Sequence, residues 1–458
     1  CRRSITTNGA MPGPDRMTKA DIFDPDYREI PFWWDAYEPG SVEQADVPRE
    51  APVMIIGAGY AGLATALELS RLGIAAVVID AEDPGFGAST RSGGLVGGAA
   101  SIKKPLISPP PGAELASRMM SDARDGLALV ERLIAEEEID CGWYKTGRFT
   151  GAWSRADFRR MQANAERLNR AGNGRAGNGQ AQVIAPERQR EEIGSDLYYG
   201  GLVTGEAGHL HPALYFKGLL EACLRRGITI CPRTAAVSLK QSGVAWCVKT
   251  TRGEVKAGDV VIATNGYTGN VTPQFKRRVI PLRAYIIATQ TLPSDLAQSL
   301  SPKNRSLVDT KRVVSFFRLS SDRRRLIYGS RVKWRDITPT QMAPFLYRLM
   351  VGCYPQLAGT RLTHAWTGNV ALTLDEQPHV GRHDGLHYAL GCNGSGVAMM
   401  TYLGTQLARK IAGGANYACA FDTGKFPANP FYSGNTRWFL PAVGNCLRLN
   451  DWLDRKRR

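Results

Sequence analysis

The feature that most constrains the fold is a glycine-rich turn between a short apolar run and a helix. Residues 53–56 are four apolar residues in a row, which is typical of a buried strand, and they lead into Gly57-Ala58-Gly59-Tyr60-Ala61-Gly62. Residues 63–72 then have a helical pattern. A second apolar run at residues 75–79 ends on Asp80, 18 positions after the last glycine of the turn. This order of strand, turn, helix, strand and acid predicts a βαβ unit of an α/β fold.

Each glycine of the turn has its own mechanical role in such a unit. Gly57 permits the tight turn, Gly59 lets a phosphate approach the backbone, and Gly62 lets the helix pack against the strand. The helix N-terminus offers unpaired N–H groups and the positive end of its dipole to a pyrophosphate. A carboxylate at the end of the second strand, here Asp80, accepts a hydrogen bond from a ribose hydroxyl. We therefore expect a dinucleotide site rather than a purely structural turn.

A loop of small residues follows the acid, with the sequence Gly87-Ala88-Ser89-Thr90-Arg91-Ser92-Gly93-Gly94. Small residues let backbone N–H groups come close to a second phosphate and to a planar ring. A flexible surface loop is the alternative, but it does not account for an arginine embedded among so many small residues. The loop favours a flavin dinucleotide over a nicotinamide dinucleotide.

Four further motifs occur in the order in which a known family has them. They are Gly208-His209-Leu210-His211-Pro212, Ala263-Thr264-Asn265-Gly266-Tyr267, Asp375-Glu376-Gln377-Pro378 and Gly391-Cys392-Asn393-Gly394-Ser395-Gly396-Val397-Ala398. With these motifs and the loop before them, the chain resembles the D-amino acid oxidase superfamily of FAD-dependent oxidoreductases. Within that superfamily it resembles the gamma-glutamylputrescine oxidoreductase type. The resemblance covers residues 23–441.

The resemblance implies an α/β fold with two discontinuous domains. One is a Rossmann-like, glutathione-reductase-like FAD-binding domain, and the other is an α+β substrate-binding domain built on an antiparallel sheet. We expect the FAD-binding domain to comprise residues 50–112, 208–270 and 361–425, and the substrate-binding domain to comprise residues 113–207 and 271–360. Residues 1–20 are expected to form a disordered tail, residues 21–49 an aromatic N-terminal extension, and residues 426–458 a C-terminal extension.

The resemblance and the glycine turn together assign a set of residues to FAD. The family's acid is usually glutamate, so Asp80 is one methylene shorter. Some relatives attach flavin covalently through a cysteine at the position of Gly368, and we therefore expect non-covalent FAD. The residues assigned to the cofactor are Gly57, Ala58, Gly59, Tyr60, Ala61, Gly62, Asp80, Ala88, Ser89, Arg91, Ser92, Gly93, Gly94, Leu95, Val237, Gly394, Ser395, Gly396 and Val397.

Amine oxidation by a flavoenzyme needs few protein acids or bases. The amine donates a hydride from its α carbon to flavin N5, and the imine then hydrolyses in water. The resemblance makes Arg91, His364 and Trp366 the candidate catalytic residues. The alternative for Arg91 is a guanidinium that holds its own loop together, and for His364 and Trp366 it is a role in the core. His209 and His211 precede a helix, where capping and packing are favoured over proton transfer.

One departure from the family bears on the substrate. α-Amino-acid oxidases of the superfamily hold the substrate carboxylate with an arginine whose position here is Val370. Loss of that planar, bidentate donor disfavours glycine and D-amino acids. We expect a primary or secondary amine with an acidic group several bonds from the reacting carbon. Tyr285 and Arg318 are the candidate substrate-binding residues, with Arg91 as a further candidate for the remote group.

The formal net charge of +16 does not by itself indicate a nucleic-acid partner. The basic clusters at residues 276–278, 323–325 and 455–458 are dispersed and accompany no nucleic-acid-binding motif, so we expect surface charge that attracts acidic substrates. No apolar run approaches the ~20 residues of a membrane span. The nine scattered cysteines form no C-x-x-C pair, which argues against a disulfide framework or a metal site and favours a cytoplasmic protein.

Other functions and partners remain open. Besides an oxidase whose flavin is reoxidised by O2 to give H2O2, the chain is compatible with an amino-acid dehydrogenase that passes electrons to a carrier. It is also compatible with a flavoprotein subunit of a heteromeric complex. Phe32, Trp33 and Trp34 must be buried, and a clamp on the domain surface is favoured over a partner-docking site. The tandem pentapeptide at residues 170–179 predicts a flexible loop. The oligomeric state is not indicated.

Overall fold

The computed structural model describes residues 22–40, 42–97, 111–171, 181–330, 337–414, 417–428, 431–434 and 440–456. The expected disordered tail at residues 1–20 and most of the pentapeptide repeat lie outside the described residues. The fold is a mixed α/β fold built on two large sheets.

The elements are numbered in chain order. The strands are β1 (Phe23–Arg28), β2 (Glu50–Ile56), β3 (Ala76–Ile79), β4 (Leu95–Gly97), β5 (Arg148–Gly151), β6 (Ala181–Ile184), β7 (Gly201–Thr204), β8 (Ala207–His209), β9 (Thr229–Cys231), β10 (Ala236–Ser242), β11 (Ala245–Thr250), β12 (Gly253–Ile262), β13 (Ile280–Thr289), β14 (Ser306–Asp309), β15 (Ser315–Leu319), β16 (Leu326–Ser330), β17 (Leu362–Leu372), β18 (His379–His383) and β19 (Leu386–Leu390). The helices are α1 (Tyr60–Arg71), α2 (Ala113–Glu136), α3 (Arg155–Ala171), α4 (Pro212–Arg225), α5 (Pro273–Lys276), α6 (Ser294–Leu300), α7 (Pro339–Cys353), α8 (Gly396–Ile411) and α9 (Leu440–Lys456).

The first sheet contains the glycine turn. Its strands β9, β3, β2 and β12 pair in parallel in that order, and the end of β12 also pairs in parallel with β19. Residues 53–56 of β2 are all buried, as expected for a strand covered on both faces. Helices α1 and α8 pack against each other on this sheet. The sequence therefore predicted the strand, turn, helix and second strand correctly.

The second sheet has the order β1-β17-β13-β16-β15-β14-β5-β7-β6 in the described part of the chain. Its pairings are antiparallel except for β1 with β17 and β14 with β5, which are parallel. Strand β17 pairs with β13 over its whole length, although residues 361–425 were assigned to the FAD-binding domain. The division into domains stays a prediction.

Each face of the second sheet has a different neighbour. Tyr285, Ile287 and Phe317 point to a hydrophobic core shared with Met342 and Leu346 of α7. The side chains at the alternate positions of these strands face a cavity between the two sheets. This alternation follows from the two-residue period of a strand. The second sheet is therefore both the support for one core and one wall of the cavity.

Two helices flank the cavity region. Helix α4 occupies residues 212–225, directly after the two histidines of the Gly208–Pro212 motif. Helix α2 begins at Ala113, and Met119 and Ala123 are the buried residues of its first half. Within the described residues, no helix is long and apolar enough for a membrane crossing.

Candidate active site

A cavity with a volume of about 1660 Å³ lies between the two sheets. One wall consists of the glycine turn, the loop at residues 87–94 and the N-terminus of α8. The opposite wall consists of strands of the second sheet, and α9 closes part of the rim. We call these the loop wall and the sheet wall.

The glycine turn leaves no room for side chains at two of its three glycines. Gly57 has a φ of +110°, and a Cβ there would lie 2.9 Å from the carbonyl oxygen of Ala263. A Cβ on Gly62 would lie 1.9 Å from the carbonyl oxygen of Gly57. Gly59 is the N-cap of α1 and supplies no side-chain cap, so the first-turn N–H groups after Tyr60, whose own N–H donates to Ser89 Oγ, are open to a ligand. Gly57, Gly59, Tyr60 and Ala61 line the cavity, whereas Ala58 and Gly62 lie behind them.

Asp80 lies beside the turn, directly after β3, and lines the cavity. Its carboxylate accepts hydrogen bonds from the backbone N–H groups of Ala58, at 2.7 Å, and Glu82, at 3.0 Å. Burial raises the pKa of Asp80 to about 6, and the two backbone hydrogen bonds oppose that shift. An acid placed in this way presents an acceptor beside the helix N-terminus, as a ribose hydroxyl requires.

The small-residue loop is held on the first turn of α1. Ser89 Oγ accepts a hydrogen bond from the N–H of Tyr60 at 3.1 Å, and the Tyr60 hydroxyl donates to the carbonyl oxygen of Ser89 at 2.7 Å. Thr90 Oγ1 donates to the carbonyl oxygen of Gly85 at 2.7 Å. These bonds contradict the alternative of a flexible surface loop. The cavity-lining residues of this loop and of the strand after it are Gly87, Ala88, Ser89, Arg91, Ser92, Gly93, Gly94, Leu95 and Gly97.

The aromatic N-terminal segment packs on the outer side of this loop. Trp33 Nε1 donates to the carbonyl oxygen of Ser92 at 2.8 Å, and Trp34 Nε1 donates to Thr90 Oγ1 at 2.9 Å. Trp33 is completely buried. Because two indoles are bonded to the loop itself, the segment is a clamp, and it is not exposed for a partner at Trp33.

Arg91 lines the cavity but its guanidinium is engaged in its own loop. Nε donates to the carbonyl oxygen of Phe86 at 2.7 Å, and the guanidinium carbon lies 4.6 Å from the ring centres of both Trp34 and Phe86. Burial lowers the pKa of Arg91. These contacts support the hypothesis that Arg91 holds the loop together. A catalytic role for it stays a prediction.

The other two candidate catalytic residues do not line this cavity. Trp366 is buried and its Nε1 donates to the carbonyl oxygen of Arg91 at 2.8 Å, so it supports the loop from behind. His364 faces a second, outer cavity beside Arg28 and Asp35. Both residues lie on the even-numbered side of β17, two and four positions before Gly368, where the cavity lining begins. His364 and Trp366 are therefore close to the cavity along the chain but do not contact it.

The two histidines of the Gly208–Pro212 motif have structural contacts. His211 is the N-cap of α4 and its Nδ1 accepts from the N–H of Leu214 at 3.2 Å. His209 Nε2 lies 2.9 Å from the carbonyl oxygen of Asn304. Burial, together with the charge of Arg318, lowers the pKa of each to about 3. Both rings are therefore neutral at physiological pH, which agrees with capping and packing.

A second helix N-terminus meets the loop wall from the other side. Gly394, Ser395, Gly396 and Val397 line the cavity where α8 begins, and no side chain caps this helix. Asn265 Oδ1 accepts from the N–H groups of Gly391 and Cys392 at 3.0 and 3.4 Å, which ties the loop before α8 to the end of β12. The cavity therefore contains two open helix N-termini, each able to stabilise negative charge.

The sheet wall is apolar where it faces the middle of the cavity. Val370, which the resemblance places at the position of the carboxylate-binding arginine of α-amino-acid oxidases, lies within it. Its neighbours come from several strands that are distant in sequence. The aliphatic and aromatic residues of this wall are Ile280, Leu282, Ala284, Ile286, Val308, Val314, Phe316, Val370 and Leu372.

Three residues that the sequence assigned to the site do not line the cavity. Tyr285 points away from the cavity, because the side chains on either side of it in the strand, Ala284 and Ile286, point into the cavity. The Tyr285 hydroxyl donates to the carbonyl oxygen of Ile337. Arg318 has no exposed surface and lies beneath the cavity lining. Val237 is half exposed and does not line the cavity. The neighbouring residues 234–236 line it instead.

Sequence reasoning missed the residues that α9 and β5 contribute. Val443, Cys446, Leu447 and Asn450 of α9 line the cavity. The helix is attached through Asp451, which accepts from the N–H groups of Arg312 and Val313 at 2.9 and 3.1 Å. The only available signal was the amphipathic pattern of residues 440–456, which carries no motif. Arg148 and Thr150 of β5 also line the cavity.

The loop wall fits an FAD molecule. The cradle at Gly57 and Gly62 cannot hold a Cβ, two helix N-termini open into one cavity, and a buried carboxylate lies beside the first. Backbone N–H groups and helix dipoles suit a pyrophosphate, and the acid suits a ribose. Within the described residues, no cluster of three or more His, Cys, Asp or Glu side chains is placed to hold a metal ion.

Comparisons with known proteins agree with this geometry. The family model of the DAO FAD-dependent oxidoreductases matches residues 52–410. Gamma-glutamylputrescine oxidoreductase of Escherichia coli strain K12 is 31% identical over 388 residues, which are 84% of this chain and 88% of that protein. A probable oxidoreductase of Haemophilus influenzae, OrdL, is also 31% identical over 388 residues, covering 83% of this chain and 87% of its own length.

Solved structures have the same fold at lower identity. Glycine oxidase from Geobacillus kaustophilus superposes with a TM-score of 0.69 at 17% identity, covering 84% of this chain and 99% of that one. L-Amino acid deaminase from Proteus vulgaris, with its specific insertion sequence deleted, has a TM-score of 0.68 at 16% identity, covering 88% and 99%. At such identities the likeness concerns the fold alone.

Proposed function

We propose that this chain, which belongs to the DAO family of FAD-dependent oxidoreductases, oxidises a primary or secondary amine whose acidic group lies several bonds from the reacting carbon. One observation carries the proposal: Val370 and its apolar neighbours form the sheet wall opposite the cofactor cradle. An apolar wall there binds the carbon chain of an amine and offers no donor to an α-carboxylate.

The loop wall would hold FAD without a covalent bond. The N–H groups at the start of α1 would bind the pyrophosphate, Asp80 the ribose, and the α8 N-terminus the far end of the flavin ring. Gly368 lines the cavity at the position where a cysteine would be needed for attachment. We assign the first sheet to a Rossmann-like FAD-binding domain and the second, largely antiparallel sheet to the substrate-binding domain.

The residues of the chain position the amine and exclude water. Bound FAD supplies a two-electron acceptor, and we expect O2 to reoxidise it with formation of H2O2. Leu282, Ile286 and Phe316 present a dry surface to the substrate. Uncapped N–H groups at Gly396 and Val397 stabilise negative charge that develops at that end of the cavity. The proposed chemistry uses no side-chain base, which agrees with the neutral, structurally bonded histidines of the motif.

A substrate panel tests this proposal. The flavin-loaded protein is mixed in air with gamma-glutamyl-type amines and ω-amino acids, and in parallel with glycine, sarcosine and D-alanine, while oxygen consumption and peroxide are measured. We expect turnover of the first group and stoichiometric peroxide. Fast turnover of glycine or D-alanine, with none of the longer amines, would contradict the proposed substrate class. Turnover that requires an added electron acceptor and makes no peroxide would identify a dehydrogenase.

A further inference from the structure

Arg148 is the first residue of β5 and faces the cavity at the junction of the two walls. A Cβ on Gly97 would lie 2.6 Å from its Nη2, so the guanidinium lies against β4, the strand that continues from the small-residue loop. Thr150, two residues along, faces the same cavity, whereas Phe149 between them is packed in the core behind the sheet. The alternation of β5 thus fixes Arg148 on the cavity side.

The guanidinium of Arg148 lacks a counter-charge within the part of the chain that the structure describes. Its Nε atom is buried and has no hydrogen-bond partner among those residues. Burial lowers the pKa of Arg148, and no nearby carboxylate opposes this shift. Residues 98–110, which follow Gly97, contain two lysines and no acidic residue. An acid from that segment therefore cannot neutralise Arg148.

The other cations that line the cavity among the described residues already have partners. Lys311 pairs with Asp309 at 2.9 Å, and Arg312 pairs with Asp454 at 2.6 Å and with Asp451 at 3.2 Å. Arg91 donates to the carbonyl oxygen of Phe86 and stacks on two aromatic rings. Unlike the first two cations, Arg148 has no ion-pair partner among the described residues, and unlike Arg91 it has an Nε without a hydrogen-bond partner there.

Arg318 provides the sharpest contrast, because it lies on the same sheet and is fully buried, whereas Arg148 is half-buried. Its Nε donates to the carbonyl oxygen of Gly93 at 2.8 Å, and its two terminal nitrogens reach the carbonyl oxygens of Leu319 and Leu210 at 3.1 and 2.6 Å. One of them also lies 3.0 Å from Nδ1 of His209. Arg318 is therefore a structural residue whose donors are already engaged, and it cannot also bind a substrate.

We propose that Arg148 is the substrate-binding residue that holds the remote carboxylate of the amine. A cation whose Nε is buried without a partner is costly to retain, and a carboxylate satisfies it with charge-assisted, planar hydrogen bonds. The ligand class is an amine whose apolar chain lies along the sheet wall and ends in a carboxylate. This inference rests on the proposed function only for the amine end of the ligand. The binding of the carboxylate end can be tested without it.

Binding of simple probes to the flavin-loaded protein tests Arg148 without turnover. Pentanoate is compared with pentanamide, its uncharged analogue, by calorimetry and by the change in the flavin spectrum, using wild type, Arg148→Met and Arg148→Lys. Pentanoate should bind wild type in preference to pentanamide. In Arg148→Met its affinity should fall by at least about tenfold, which corresponds to the lower end of a charge-assisted hydrogen bond, and Arg148→Lys should fall less.

Controls separate this role from a structural one. Arg132→Met removes the same charge from the exposed surface of α2 and should bind pentanoate like wild type. Without ligand, Arg148→Met should unfold at a temperature no lower than wild type, because it loses no hydrogen bond, and pentanoate should raise the melting temperature of wild type more than that of the variant. Equal pentanoate affinity in wild type and Arg148→Met would overturn the proposal. A wild-type protein that binds pentanoate no better than pentanamide would also overturn it. The same holds for an Arg148→Met variant that loses flavin but keeps its affinity for pentanoate.

A turnover arm then links the two ends of the substrate. The ratio of kcat/KM for 5-aminopentanoate to that for pentylamine should fall at least about tenfold in Arg148→Met. If wild type oxidises no amine, the proposed function fails while the pentanoate titration still decides the role of Arg148. If wild type oxidises both amines and Arg148→Met leaves the ratio unchanged, the assignment of Arg148 fails and the proposed function stands.

Discussion

The loop wall and the sheet wall of the cavity are built by opposite means. The loop wall offers backbone N–H groups and helix ends, and at Gly57 and Gly62 it has no space for a Cβ. The sheet wall offers side chains, one from every second position of strands that are far apart in sequence. A wall of backbone recognises a ligand common to a family, because side-chain substitution alters it little. A wall of alternate side chains changes its ligand with each substitution, as Val370 and Arg148 illustrate.

The largest effect is expected in the loop wall, from Gly59→Val. Gly59 has a φ of −90° and a ψ of −169°, which valine adopts readily, but the side chain would occupy the phosphate position and press on Ser89 Oγ, 3.1 Å from an added Cβ. Flavin binding should be lost while the flavin-free protein melts near the wild-type temperature. Gly62→Ala should lower both the flavin affinity and the melting temperature, since its Cβ would lie 1.9 Å from the carbonyl oxygen of Gly57. Full flavin content in Gly59→Val would show that the phosphate site is misplaced.

The next effect distinguishes two arginines of the second sheet, Arg148 at the cavity and Arg318 beneath its lining. Arg318→Met leaves the carbonyl oxygens of Gly93, Leu210 and Leu319 without their donors and should cost about 3 kcal/mol of unfolding free energy. Arg148→Met should cost none. Chemical denaturation of the two variants under the same conditions measures the difference. Equal destabilisation by both would remove the distinction between a structural and a ligand-binding arginine.

A pH effect specific to the loop wall is expected from Asp80, measured as the difference between wild type and Asp80→Asn. The folded pKa of Asp80, about 6, lies above the usual value for aspartate, so between about pH 4 and pH 6 the folded state binds more protons than the unfolded state. Ionisation of Asp80 therefore destabilises the flavin-free protein as pH rises through this window, by up to about 3 kcal/mol. Relative to wild type, Asp80→Asn should gain stability across the window. A difference that is constant with pH would contradict the raised pKa.

The smallest effect concerns the rim of the sheet wall. Asp451→Asn keeps one acceptor but loses the ion pair with Arg312 and one of two backbone hydrogen bonds, at a cost of about 1 to 2 kcal/mol. Amide hydrogen exchange in residues 440–456 should become faster, with little change in the first sheet. Asp454→Asn, at a more exposed position, is the control and should change it less. Unchanged exchange in Asp451→Asn would mean that other contacts hold α9.

These walls also differ in how far the sequence predicts them. The glycine turn and the loop at residues 87–94 are contiguous, and each has a mechanical explanation that needs no knowledge of the rest of the fold. Arg148 has no motif around it, and its neighbour Gly97 is 51 positions away. Tyr285 was assigned to the substrate although its parity in β13 places it in the opposite core, since a shift of one residue reverses the face of a strand. Arg318 was chosen for its charge, but its burial and bonds depend on residues from three distant segments.

The most direct test of the central claim is an anaerobic titration of the flavin-loaded protein with 5-aminopentanoate, followed through the visible absorbance of the flavin. The two-wall account predicts that this amine bleaches the flavin band and that admitting air restores it. D-Alanine at the same concentration should leave the band unchanged. Bleaching by D-alanine and not by 5-aminopentanoate would contradict the account, because it would require an α-carboxylate site on the sheet wall that Val370 does not provide.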